Sequence, residues 1–181
     1  EKYEFLYNQK VDLVDSKKNL ETLIKEIEDV VKNSFKEAYD EIDKNFNYMC
    51  KEILNNSIGN LSLLDETDLL ESGVELMVKF KNKKYQSLSL LSGGEKSMVA
   101  VALIMAIFMY KPSPFTFFDE IEAALDESNT KRLLRKLKEF TDRSQFILIT
   151  HNKHTMKESD QLYGVTMNKE IGESKILSVV L

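Results

Sequence analysis

The chain has 181 residues, 43% hydrophobic and 30% charged, with one cysteine, two prolines, six glycines and no tryptophan. This length suits one domain, or a smaller domain with an appendage, and suffices to bury a real core. The lone Cys50 excludes a disulfide framework and a thiolate zinc cluster, and a net charge of −5 excludes a general polycation that coats nucleic acid, although local basic patches stay open.

Single-cysteine usage points to a reducing, cytosolic compartment. No charged-then-apolar leader opens the chain, and the longest apolar run, Met98 to Tyr110, is too short to cross a bilayer. The first residue, Glu1, falls inside what reads as a helix, as expected of a fragment.

From Leu20 to Ile53 the apolar positions are Leu20, Ile24, Ile27, Val31, Phe35, Ala38, Ile42, Phe46, Met49 and Ile53, each three or four residues from the last. Steps averaging about 3.7 residues fit a straight amphipathic helix better than a strict heptad seam. Its later part is expected to dock on a globular body. Its earlier part, around Leu13 and Leu20, is expected to leave that body as the root of a coiled coil. Asn55, Asn56, Ser57 and Gly59 end it. A short strand at Leu61 to Leu64 and a second at Gly73 to Phe80, alternating apolar and polar, predict an antiparallel pair with one wet face.

From Leu88 the pattern becomes α/β. A Ser-Gly-Gly turn, Ser92 to Gly94, opens a helix whose body is apolar nearly all round, which predicts burial between a sheet and another layer. Lys111 to Pro114 stops it. Phe115 to Phe118 reads as a strand ending in Asp119 and Glu120. Asp126 to Asn129 supplies capping residues for a helix with Leu133, Leu134, Leu137 and Phe140 inside. Gln145 to Thr150 is a second apolar strand, ending at His151. A brief helix around Thr155 to Ser159 leads to strand-like segments at Leu162 to Met167 and Ile176 to Leu181.

The strand–helix–strand unit predicts a parallel, right-handed crossover, which brings Asp119, Glu120 and His151 to one sheet edge, where open α/β sheets bind ligands. A hard cation such as Mg2+ takes oxygen ligands, so the first carboxylate suits the metal, and the second can orient or deprotonate an attacking water. Taken singly, each of these residues is as readily a solvated strand end or a cap; their convergence is what points to chemistry. Leu91-Ser92-Gly93-Gly94-Glu95 combines glycines that permit close approach, a hydroxyl donor and a helix N-terminus, which suits phosphate. No glycine begins a Gly-x-x-x-x-Gly-Lys-Ser/Thr loop. A phosphate cradle must therefore come from another segment, and the chain by itself is expected to bind ATP poorly.

These residues, in this order, resemble the C-terminal head lobe of an SMC (structural maintenance of chromosomes) protein, in the ABC-type ATPase superfamily and with bacterial members in particular. The resemblance runs from Leu88 through Ser92-Gly93-Gly94-Glu95, Lys111-Pro112-Ser113-Pro114-Phe115 and Phe118-Asp119-Glu120-Ile121-Glu122-Ala123-Ala124-Leu125-Asp126 to Gln145–His151 and Leu162–Met167. It implies an α/β fold: half of an ABC-type head over residues 55–181, with a parallel-sheet core, flanking helices and a β-hairpin, and a coiled-coil arm end and docking helix over residues 1–54. It implies that Asp119 acts on Mg2+, Glu120 as hydrolytic base and His151 near the γ-phosphate. Ser92, Gly93, Gly94 and Glu95 would contact ATP held by an opposing head, with Asp126 reaching across the same interface. Implied partners are the chain's own N-terminal lobe, a second head in a homodimer, a kleisin subunit and DNA, with no membrane. The implied setting is chromosome condensation and segregation in the cytoplasm, on the nucleoid.

The chain departs from the family pattern at Lys81 to Lys84, where relatives often carry Pro-Pro-Gly-Lys, and at Asn55 to Ser57, where a glycine pair is usual. A coiled-coil ABC ATPase of double-strand-break repair shares the same motifs and is the alternative reading; a non-catalytic docking module is a second, against which the intact Asp119-Glu120 pair argues. Two lysine- and arginine-bearing segments, Lys79 to Lys84 and Lys131 to Lys136, are candidate phosphate contacts for DNA.

Overall fold

The computed structural model describes residues 1–65, 67–168 and 171–180, with side chains through Ser178. Helix α1 spans Lys2–Ile53. Residues 1–31 are exposed throughout, and burial begins only where the stripe reaches the body: Tyr39 and Ile42 pack against the core, and Phe46, Met49, Cys50 and Ile53 are fully inside it. The helix stops because Asn55 and Asn56 both take left-handed backbone, φ 56° and 60°, a conformation asparagine tolerates better than most residues with a side chain.

Strand β1 (Ile58–Leu63) pairs antiparallel with β2 (Val74–Lys79), and β2 with the two-residue β3 (Gln86–Ser87). The sheet lies on α1 through Leu61 and Val78, while the Tyr39 hydroxyl donates to the Leu61 carbonyl at 2.7 Å. Beyond β2 the chain turns with the Lys83 N–H on the Phe80 carbonyl at 3.0 Å and Asn82 at φ 66°. The lysine-rich turn is therefore accommodated by a third left-handed asparagine.

Helix α2 (Gly93–Tyr110) crosses α1 and buries Val99, Val101, Ala102, Met105, Ala106 and Phe108. Including its polar first turn, it is eighteen residues long and apolar enough, by length and composition, to match a membrane span. It is instead the core helix. The expectation that it is covered nearly all round needs correction: Ile104, Ile107 and Tyr110 form an exposed ridge, because the described residues provide no layer on that side.

The crossover is present as β4 (Phe115–Asp119), α3 (Glu127–Glu139) and β5 (Gln145–Ile149), with the strands parallel and Asp119 opposite Ile149. Phe118, Phe146 and Leu148 face inward, and the Phe146 ring lies between Phe118 and Phe108 at centroid distances of 6.1 and 5.4 Å. Alternation sends Phe115, Phe117, Ile147 and Ile149 to the other face, which is bare. Continuous apolar strands usually mean cover on both faces; here one cover is missing. Helix α4 (Lys153–Glu158) begins slightly earlier than its sequence suggests, capped by Asn152. Strands β6 (Gln161–Asn168) and β7 (Glu173–Val180) close an antiparallel hairpin; Leu181, assigned to the last strand, lies outside the described residues.

Candidate functional site

The ladder between β4 and β5 continues one step past Asp119, with the Glu120 N–H donating to the Ile149 carbonyl at 2.9 Å. Glu120 then turns out of the sheet at φ 45°, a strained value for a residue that is neither Gly nor Asn. Its Oε1 lies 3.2 Å from His151 Nδ1. Both side chains are open to solvent, at 56% and 77% exposure, and Asp119 is exposed beside them. The three residues assigned to one edge of the sheet stand there together.

The Asp119 carboxylate makes no hydrogen bond or ion pair with any described residue. A free carboxylate at a strand end fits one oxygen position of a hard cation such as Mg2+. Among the described residues, no cluster of three or more carboxylates, histidines or thiols joins it, so the other positions would fall to phosphate oxygens, water or another segment.

Ser92 caps α2, and its N–H and hydroxyl both donate to Glu95 Oε2, at 3.1 and 2.8 Å, in a Ser–Glu capping box. Lys83 Nζ reaches Glu95 Oε1 at 2.9 Å. The bonds from Lys83 and Ser92 hold the Glu95 carboxyl down at about 2, so it stays ionised. Glu95 is thus engaged with its own chain, shaping the turn. The glycines behave differently. Neither Gly93 nor Gly94 has positive φ; a Cβ on Gly93 would meet nothing within 4 Å, and one on Gly94 only the Ala124 carbonyl at 3.8 Å. Internal sterics do not require glycine at either place. The same contact sets the turn beside the loop that follows Glu120.

Asp126 caps α3, its Oδ1 accepting from the Asn129 N–H at 2.7 Å and Oδ2 from Asn129 Nδ2 at 3.1 Å. Asn129 also reaches Met98 Sδ on α2 at 2.9 Å, tying that loop to the helix behind the Ser-Gly-Gly turn.

Most of the second basic segment is engaged within the chain, and Arg135 alone of its four cations is exposed without a side-chain partner among the described residues. Arg132 is spent on the Ile53 carbonyl and Asn129, and Lys131 on Glu127. Lys136, only 7% exposed, holds Tyr48, Glu52 and Glu139 at 2.8–2.9 Å. Burial alone would lower its pKa, but the bonds to Glu52, Tyr48 and Glu139 outweigh that and hold it above the usual lysine range. The spacing that suggested a basic helix face is the spacing that fastens α3 to α1. Of the first segment, Lys83 is paired to Glu95, and Lys79 lies over the Tyr85 ring.

Sequence reading passed over Glu122. It is 5% exposed and accepts from the Thr150 and Thr155 hydroxyls. Its signal was available: an acidic residue two positions after Asp-Glu, in a segment otherwise turning apolar.

A parallel crossover that sets an Asp-Glu pair and a histidine at one edge, beside a glycine turn opening a core helix, is an ABC-ATPase-like head fold. A family model described as "RecF/RecN/SMC N terminal domain" matches residues 5–173. The chain belongs to that RecF/RecN/SMC family. It is 62% identical over 178 residues to the "Chromosome partition protein Smc" of Fusobacterium nucleatum and 43% identical over 181 residues to that of Bacillus subtilis, matches that take in 98% and 100% of this chain. It spans 15% of the length of each. Among solved structures, it resembles the Smc head domain of Pyrococcus furiosus, with an extended coiled coil and bound to the C-terminal domain of ScpA, at TM-score 0.83 and 34% identity, covering 99% of this chain and 44% of that one. It also resembles a structure from work on ATP-driven dimerization and DNA stimulated activation of SMC ATPases, at TM-score 0.75 and 34% identity, covering 82% and 89%. These matches give the family and the head fold; the words "N terminal" in the family description do not give the C-terminal placement that the resemblance implied.

Proposed function

We propose that this chain is the C-terminal lobe of the ATPase head of a chromosome-partition Smc protein, active only when its N-terminal lobe completes it and two heads engage. The observation that carries the reading is the pairing of Glu120 with His151 beside a free Asp119, on a chain whose sequence holds no phosphate loop. Three further features support half a head rather than a whole one. The chain corresponds to 44% of the Pyrococcus furiosus head chain. One face of β4–β5 is apolar and bare, and so is the α2 ridge. The C-terminal placement follows because the missing loop would sit in the other lobe.

The roles follow from the positions. Asp119 would hold Mg2+, which supplies charge neutralisation for phosphoryl transfer. Glu120 accepts the proton of the attacking water, its strained backbone aiming the carboxylate off the sheet edge. His151 Nδ1 faces Glu120, and the ring's other nitrogen donates toward phosphate when the imidazole carries both of its protons. The Ser92–Gly94 turn would close on nucleotide held by an opposing head, the open space at Gly93 being where that phosphate approaches, with Glu95 fixing the turn and Asp126 the loop beside it. Differential affinity of ATP for the engaged state would then drive head closure, and hydrolysis would release it. A kleisin subunit and DNA are the remaining partners, in the cytoplasm on the nucleoid; binding of ScpA by the Pyrococcus furiosus head supports the first.

The test is to join this chain to its N-terminal lobe and measure ATP turnover against the chain alone. Turnover is expected only in the joined head, with Glu120→Gln abolishing it while ATP-dependent dimers accumulate. Turnover by the isolated chain, or its absence in the joined head, would overturn the reading.

A further inference from the structure

Glu120 and His151 are held in place by something other than their own side chains. Each is largely exposed, and each meets the other as its polar side-chain partner among the described residues. Their relative position therefore depends on two loops, the one after β4 and the one after β5. One buried group joins those loops. Glu122, two residues after Glu120, accepts on a single oxygen, Oε1, from the Thr150 hydroxyl and from the Thr155 hydroxyl, the second at 2.9 Å. Thr150 directly precedes His151, and its oxygen also accepts the Asn152 N–H at 2.9 Å; Asn152 in turn caps α4 at the His154 N–H, 2.8 Å away. Thr155 lies in α4 and is fully buried. The segment of Glu122 is itself fixed, with the Ala123 N–H on the Glu120 carbonyl and the Leu125 N–H on the Glu122 carbonyl, both at 2.9 Å.

A buried carboxylate is costly unless it is well paired, and no Lys, Arg or His among the described residues forms an ion pair with Glu122. What the carboxylate provides is one acceptor oxygen for two hydroxyls on two different elements. Resting on the ATPase reading above, we infer that Glu122 is a positioning residue: through Thr150 and Thr155 it holds the Glu120 loop and the His151 loop in register for the hydrolytic step. Its influence runs through His151, so it belongs to turnover rather than to nucleotide affinity.

The experiment uses the head completed with its N-terminal lobe and steady-state ATP hydrolysis. Glu122→Ala is expected to lower kcat tenfold or more with the KM for ATP within twofold. Glu122→Gln, whose carbonyl can accept the same two hydroxyls, is expected to recover kcat to within threefold of wild type. Introduced on a His151→Ala background, Glu122→Ala should cost less than a further twofold, because the two act as one unit. A kcat within twofold of wild type for Glu122→Ala, or effects of the two substitutions that multiply in full, would overturn the inference. Should Glu122→Ala fail to fold, the near-isosteric Thr150→Val carries the same test, with a fivefold loss of kcat expected and wild-type kcat overturning it. A completed wild-type head without turnover would remove the ATPase reading itself, and this inference with it.

Discussion

Gly93 shows how a single position separates folding from function. Its backbone is ordinary and its surroundings are empty, so a methyl group there meets nothing of the chain itself. Gly93→Ala should therefore leave the unfolding free energy of the joined head unchanged to within about 1 kcal/mol, or raise it slightly by restricting the unfolded chain. ATP-dependent dimerisation, read by size-exclusion chromatography with light scattering, should be lost. Normal dimerisation of this variant would mean that no ligand approaches the turn. Glu120 presents the complementary case. Its left-handed φ costs about 1–3 kcal/mol, and strain of that kind collects where geometry serves chemistry. Neither property was legible in the sequence, which reports residue type but not what surrounds it. Asp119, Glu120 and His151 were legible, because a parallel crossover admits one hand and so delivers both strand ends to the same edge.

At the scale of elements, α1 and β1 meet at Gly59. A Cβ there would come within 2.5 Å of Cys50 Sγ and 2.8 Å of the Phe46 ring, so the sheet lies on the helix as closely as it does because this residue has no side chain. Gly59→Ala is expected to destabilise the joined head by about 1–3 kcal/mol in urea unfolding, with part of that recovered when Cys50 is also reduced to Ala. Stability unchanged by Gly59→Ala would show that the helix can back away without loss. The elements themselves were largely readable. The three-and-four spacing marked α1, alternation marked β2, and the Ser-Gly-Gly turn marked the start of α2. Two readings were met only in part, for one physical reason. The basic run at Lys131 to Lys136 looked like a solvated, phosphate-seeking face, yet Lys136 is buried between two glutamates, one of them on α1. The apolar α2 looked fully enclosed, yet it carries a bare ridge. Pattern tells which residues seek cover; it does not tell which partner, 80 residues away or on another segment, will supply it.

For the whole molecule, Phe115, Phe117, Ile147 and Ile149 make an exposed apolar face on the parallel strand pair, with Phe117 at 61% exposure. Apolar surface of this kind either finds a partner or drives association. Ile149→Lys should make the isolated chain more monomeric in sedimentation and weaken its pairing with the N-terminal lobe at least tenfold. Unimpaired lobe pairing in that variant would place the other lobe elsewhere. The arm carries a mechanical consequence of its own. Helix α1 runs unbroken from Lys2, and its first residue fastened to the body is Tyr39. At 1.5 Å per residue, the span from that pivot to the tip is roughly 56 Å, so a swing of about 10° at the pivot moves the tip by roughly 10 Å. Arg132 and Lys136 bolt α3 to the same stretch of α1, and α3 begins at Asp126. A rotation small enough to preserve every contact at the Asp119–His151 edge would thus be geared up, along a rigid lever, into a displacement as large as the width of a helix.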